Sequence, residues 1–178
     1  MITPPWESPS SKDAAEWMER RHAIGNRVAA LAEAGICYQC RDQETSGEIL
    51  GDQDTILDET DVRAVLSLDP RAPGHTVIVW KAHVQDFTEL TEDETGRLFT
   101  VARDVARAIR VAIKGVARVY LVTMCDGPVN HLHLQLIPRY DGSPIGSKRL
   151  VDPRGPLLEG ARIAAEIRRA YETSSDPD

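Results

Sequence analysis

His131-Leu132-His133-Leu134-Gln135-Leu136-Ile137 is the stretch on which the reading of this chain turns. Alternation along an extended strand sends His131, His133 and Gln135 to one face and Leu132, Leu134 and Leu136 to the other. Three leucines anchor such a strand in a core, so its opposite face becomes a polar platform on a fixed backbone. The chain has only five histidines, which makes two of them two residues apart on a leucine-backed strand an unusual concentration. The plainer alternative is a solvent-facing strand that happens to carry two imidazoles. Pro138 follows, and it suits a strand end better than a strand centre.

Upstream, Thr76-Val77-Ile78-Val79-Trp80 is the clearest strand, entered through a turn marked by Pro70, Pro73 and Gly74. Shorter strands are expected at Thr55 to Leu57, Val62 to Leu68 and Arg118 to Thr123, the first two around the acidic turn Asp58-Glu59-Thr60-Asp61. Between the strands, Thr91 and Glu94 have capping-box spacing, and Leu98, Val101, Val105, Ile109 and Ala112 recur at helical spacing. Apolar residues from Asp13 to Ala34 predict a first helix, with Ser11 as N-cap and Gly35 as stop. Leu157 to Tyr171 predict a last helix after a Gly/Pro-punctuated loop over 141–156. Helix, strands, helix, strands, helix gives an α+β class with a largely antiparallel sheet. The first 12 residues, rich in Pro and Ser, are expected to be a poorly ordered tail, and 13–178 one domain. No internal repeat is visible.

Composition narrows the function. The chain has 178 residues, 42% of them hydrophobic, and a net charge of −7. That balance disfavours non-specific binding to nucleic acid or to an anionic membrane, while leaving a locally basic site for a phosphorylated small molecule open. No apolar run is long enough for a membrane span and no secretory signal is visible, so a cytoplasmic location is expected. Three cysteines without a signal argue against a disulfide framework.

Cys37-x-x-Cys40 has the spacing of two thiolates on one tetrahedral metal. A redox pair and two small buried side chains are the alternatives. A structural zinc needs two further ligands, and His83, just after the clearest strand, and His131 are the natural candidates. If His131 binds zinc, the metal pins one end of the polar strand and sets where His133 points.

Taken together, the run from Pro73-Gly74-His75 to Ala82-His83, then Phe87-Thr88-Glu89-Leu90, then His131-Leu-His133-Leu-Gln135 to Pro138-Arg139, resembles the histidine-triad superfamily in order and spacing. The resemblance covers 37–140, leaving the first helix and the C-terminal segment as additions. Gln135 stands where a third His is usual. That form resembles the branch containing galactose-1-phosphate uridylyltransferase and the diadenosine polyphosphate phosphorylases.

The resemblance implies a HIT-like fold, a homodimer, His133 as nucleophile on phosphorus, and zinc held by Cys37, Cys40, His83 and His131, the set reached by counting ligands. Imidazole suits the nucleophilic role at neutral pH, and the amide of Gln135 can donate to a phosphoryl oxygen without titrating. His75 resembles a supporting histidine of the family, although a purely structural role is open to it. Lys81 and Arg139 are candidates for approaching phosphate; His22 is expected at the surface and Cys125 as a small buried residue.

Three departures concern the nucleotide grip. Ser67 stands where the family commonly has a ribose-binding acid, with Asp69 two residues on. Pro128 replaces a phosphate-contacting Ser or Thr and has neither hydroxyl nor N–H. An expected Asn at the start of the loop over 123–130 is missing, with Asn130 a partial substitute. Nucleotidyl or phosphoryl transfer through His133 is the first reading of function. A hydrolase with water as acceptor and a zinc-stabilised binding protein without chemistry are the others.

Overall fold

The computed structural model describes residues 10–124, 127–142, 156 and 158–175. Helix α1 spans Ser11–Glu33 and α2 Tyr38–Glu44. Strands β1 (Thr55–Asp58), β2 (Val62–Leu66) and β3 (Thr76–Trp80) follow. After a single 3-10 turn at Phe87–Glu89 come α3 (Glu92–Ala112), β4 (Val116–Val122), β5 (His133–Tyr140) and α4 (Gly160–Ser175). The five strands form one antiparallel sheet in the order β1-β2-β3-β5-β4, so the α+β expectation holds.

Period-two patterning gives this sheet two different faces. Ala64, Leu66, Ile78, Trp80, Leu134 and Leu136 belong to the main core cluster, with Leu98, Val105 and Ile109 of α3 and Ile163 and Ile167 of α4. The Thr91/Glu94 capping box that starts α3 is present in both directions. Helix α1 is built differently: none of its residues is buried. It crosses the opposite face of the sheet and borders a cavity there instead of closing a core.

Several boundaries differ from expectation. Ser10, not Ser11, caps α1, in a reciprocal box with Asp13; Ser11 and Lys12 therefore form its first turn and do not belong to a tail. Helix α2 was not foreseen, because a seven-residue helix offers too few turns for periodicity to register. Strand β2 ends at Leu66 and β5 begins at His133, two residues after the expected start. Trp80 explains the late start: its N–H donates to the Leu132 carbonyl, while its own carbonyl accepts from the His131 ring. Pro138 lies within β5, against Val119 of β4. Pairing with β3 stops at Thr76↔Leu136, so the other side of the strand owes no hydrogen bond at Pro138. Helix α4 starts at Gly160 and runs to Ser175, where Leu157 to Tyr171 was expected; Cys125, Leu157 and most of the loop over 141–156 lie outside the described residues.

Gly74 sets the entry to β3. Its φ is +79°, and a Cβ there would meet Ile113 Cδ1 at 2.5 Å, so both backbone conformation and packing require glycine. The turn it makes holds His75 between two backbone bonds, His75 N–H to the Ala72 carbonyl and the Ser67 N–H to the His75 carbonyl.

Candidate functional site

Two groups of residues meet on either side of His131. On one side, Cys37 at the cap of α2, Cys40 in its first turn, His83 and His131 bring their four ligand atoms within 4.8 Å of one another. Cys37 Sγ lies 3.3 Å from His131 Nδ1, Cys40 Sγ 3.3 Å from His83 Nδ1, and Cys40 Sγ 3.5 Å from His131 Nδ1. A tetrahedral zinc with Zn–S of about 2.3 Å and Zn–N of about 2.0 Å separates S and N by roughly 3.5 Å, so the spacing fits that ion.

The tautomer of His131 fits as well. Its Nε2 sits 2.6 Å from the Trp80 carbonyl, which can only accept, so the proton is on Nε2 and the Nδ1 lone pair faces the thiols. Burial lowers the His131 pKa further, keeping the ring neutral. Burial and neighbouring Cys37 push the Cys40 thiol up to about 12. Without a cation at the centre the Cys40 thiol therefore stays protonated, and a metal would supply the charge that ionises it.

On the other side stands His133. Its Nδ1 is 2.9 Å from the His131 carbonyl, again an acceptor only, which places the proton on Nδ1 and the lone pair on Nε2. The ring borders a cavity of about 850 Å³ between the sheet and α1, large for a small-molecule site. Strand pairing places Arg63, Val79 and His133 in one row across the sheet, and Val65, Val77 and Gln135 in the next. All six line the cavity. The residue that faces the metal group through its ring thus orients His133 through its carbonyl.

His75 lies behind this face, fully buried. Its Nδ1 accepts from the Arg71 backbone N–H at 3.2 Å, leaving the proton on Nε2. Burial pushes its pKa down to about 3, the Arg71 charge adds to this, and contact with Gln135 opposes it. Nε2 has no partner within strict hydrogen-bond geometry, and Gln135 is the side chain placed to take it.

The remaining expected residues divide. Ser67 and Asp69 line the cavity, as does Lys81. Ser67 Oγ accepts from the Asp69 N–H. Asn130 and Arg139 are not among the lining residues; Asn130 Oδ1 accepts from Gly127 N–H at 2.7 Å, closing its own loop. His22 is exposed, at the cavity border. Sequence reasoning missed Trp17, Arg20, Arg21, Arg63 and Arg71. The signal available was the stripe Trp17, Arg20, Ile24, Val28 at helical spacing on α1, which brings arginine onto an otherwise apolar face.

A family model for the HIT domain matches residues 50–142, just over half of the chain. The chain belongs to the HIT domain family. Among curated relatives, an AP-4-A phosphorylase of Mycobacterium tuberculosis is 36% identical over 89 residues, 46% of this chain and 44% of the phosphorylase. The chain thus matches less than half the length of that relative. A solved uridylyltransferase superposes with a TM-score of 0.63 at 19% identity, covering 89% of this chain and 52% of the other. A zinc-bound histidine triad family protein from Mycobacterium smegmatis superposes with a TM-score of 0.60 at 21% identity, covering 78% and 94%. At these identities the two structures speak to the fold. No helix among the described residues is long and apolar enough to cross a membrane.

Proposed function

We propose that this protein transfers a nucleotidyl or phosphoryl group through a covalent intermediate on His133, with a structural zinc on Cys37, Cys40, His83 and His131. The observation that carries the reading is the hold on His133: its Nδ1 proton is spent on the His131 carbonyl at 2.9 Å, so Nε2 is the nitrogen with a lone pair, in a ring that borders the cavity. A nucleophile needs that division of labour between its two nitrogens.

In the first step the Nε2 lone pair forms a P–N bond while a P–O bond breaks, and the leaving oxygen departs with the electron pair. A second nucleophile then attacks phosphorus and the P–N bond returns its pair to Nε2. Gln135 donates its amide N–H to a phosphoryl oxygen as charge builds, with His75 Nε2–H holding the amide oxygen so that the NH₂ faces phosphorus. Neither Gln135 nor buried His75 can deliver a proton to the leaving group, which favours leaving groups that are stable anions. Ser67, Asp69 and Lys81 are available to the rest of the substrate. Zinc takes no part in the chemistry; it fixes His131 and, through the His131 carbonyl, the tautomer of His133. The resemblance extends the proposal to a homodimer, and a cytoplasmic location is proposed beside it.

Incubation with phosphate-labelled nucleotides and nucleotide sugars tests the reading. An acid-labile, base-stable label is expected on the wild type and none on His133→Asn, with zinc content and circular dichroism unchanged. No label across a broad panel, with the fold and zinc intact, would favour the binding-protein reading. Discharge by water as fast as by any phosphate or sugar phosphate would favour the hydrolase.

A further inference from the structure

The cavity beside His133 carries a charge pattern that transfer at one phosphorus atom does not require. Its lining holds Arg20, Arg21, Arg63, Arg71 and Lys81 against a single carboxylate, Asp69, in a chain whose net charge is −7. Lys81 is matched by Asp58 at 2.6 Å, and Arg63 approaches the same carboxylate at 3.9 Å. The arginines at the other end are poorly matched. Arg21 of α1 and Arg71 both reach the same oxygen of Asp69, each at 3.3 Å. The second oxygen, Asp69 Oδ1, is buried with no partner among the described residues, and so is Arg71 Nε. Among the described residues Arg20 donates to the Asp52 carbonyl, at 2.6 Å, and Arg71 Nη1 donates also to the Asp69 carbonyl, at 2.5 Å. One carboxylate oxygen shared by two guanidinia, with buried donors and acceptors left over, is a weak counterion for this site.

Strand geometry separates this end from the reacting centre. Ser67, just past the end of β2, lies four residues from Arg63 in the row of Arg63, Val79 and His133, about 13 Å at 3.3 Å per residue, and Asp69 and Arg71 follow it in the chain. Arg21 lies on α1, outside the stretch matched by the HIT domain.

Building on the His133 reading, we propose that Arg21 and Arg71 form a clasp for a second phosphate, and that the substrate is an elongated metabolite with phosphate groups at both ends. One phosphorus reaches His133. The phosphate at the other end displaces Asp69 from the two guanidinia, and its oxygens satisfy the donors that one carboxylate leaves unused. Asp69 is then a placeholder that keeps the clasp closed when no substrate is bound.

Isothermal titration of zinc-loaded His133→Asn protein tests the clasp without chemistry, using AMP against adenosine 3′,5′-bisphosphate and glucose 1-phosphate against glucose 1,6-bisphosphate. The ligand with the distal phosphate should bind at least about tenfold more tightly in one pair or both, the fold-change that a charge-assisted bidentate contact supplies. Arg21→Gln and Arg71→Gln should each reduce that preference to within about twofold while leaving the monophosphates unchanged. Arg21 is on an exposed helix face, 42% accessible, so its replacement leaves folding intact. Asp69→Asn should tighten binding of the bisphosphate by removing its competitor, an effect that a merely structural Asp69 would not produce. Equal affinity within both pairs, or a preference that survives both arginine replacements, would overturn the clasp. Labelling of the wild type decides the His133 reading separately: a labelled protein without the preference refutes the clasp alone, and a preference without label refutes the chemistry alone.

Discussion

Acid should weaken this protein well before its carboxylates protonate, and His75 is the reason. The ring is fully buried and its Nδ1 accepts from the Arg71 N–H, so folding requires the neutral form, and burial holds its pKa at about 3. In the unfolded chain an imidazole titrates near 6.5. Between those values the unfolded state binds more protons than the folded one, so stability is complete above the unfolded pKa and falls as pH drops towards the folded one. At pH 5 the difference is about 2 kcal/mol, and the limit below pH 3 is about 5 kcal/mol. For a chain of this size the former lowers the melting temperature by roughly 4–8 °C. The carboxylates with lowered pKa, among them Asp61 and Asp104, lose their contribution only at lower pH, so the window from pH 7 to 5 reports on buried imidazoles: His75, and His131, whose pKa burial also lowers. Calorimetry at pH 7 and pH 5 in excess zinc should show the drop in the wild type. In His75→Asn, whose amide oxygen can still accept from the Arg71 N–H, the drop should be smaller than in the wild type by roughly 4–8 °C, what remains being the share of the other groups. An equal pH shift in both proteins would refute the reasoning, because any loss of zinc at pH 5 is common to the two.

Purified protein should contain one zinc per chain, and Cys40→Ala should lose it together with much of its thermal stability, since the free energy of structural zinc binding is also folding free energy; metal analysis and melting curves check both. The metal-free wild type should also lose stability as pH rises from about 9 towards 12, where the unfolded chain releases the Cys40 proton before the folded one does, and zinc should abolish that slope. Gln135→Ala should reduce turnover on the order of 10²-fold with the fold unchanged, and turnover equal to the wild type would remove Gln135 from the transition state.

The sequence carried the site's chemistry further than its shape. The metal group was legible because ligand chemistry is restrictive: two thiolates two residues apart need two more donors, and His83 and His131 stood at strand ends where such donors can converge. The sheet and the α3 stripe were legible because burial enforces period. What escaped was set by contacts distant in sequence. The start of β5 is decided by which group takes the Trp80 carbonyl, the next backbone or the His131 ring, and no local pattern encodes that competition. The arginines escaped for a related reason. A basic residue on an exposed helix reads as a solvated face until the helix is known to lie over a cavity, and α1 buries none of its residues, so hydrophobic patterning gave no sign of where it would rest. Its fixed points are polar and long-range: Trp17 Nε1 to the Leu68 carbonyl at 3.1 Å, Arg27 to the Ile49 carbonyl at 2.9 Å and Arg21 to Asp69. A helix attached by side-chain tips instead of a packed stripe can be repositioned at small cost. The departures at Ser67 and Pro128 then have a physical counterpart. The residues that, by the resemblance, would grip an ordinary nucleotide are replaced in the loops just outside β2 and β5, and cations are brought to the cavity by a helix outside the matched stretch. If His133 and its supports carry the proposed chemistry, specificity in this chain should rest on α1, and the arginine replacements there are what test it.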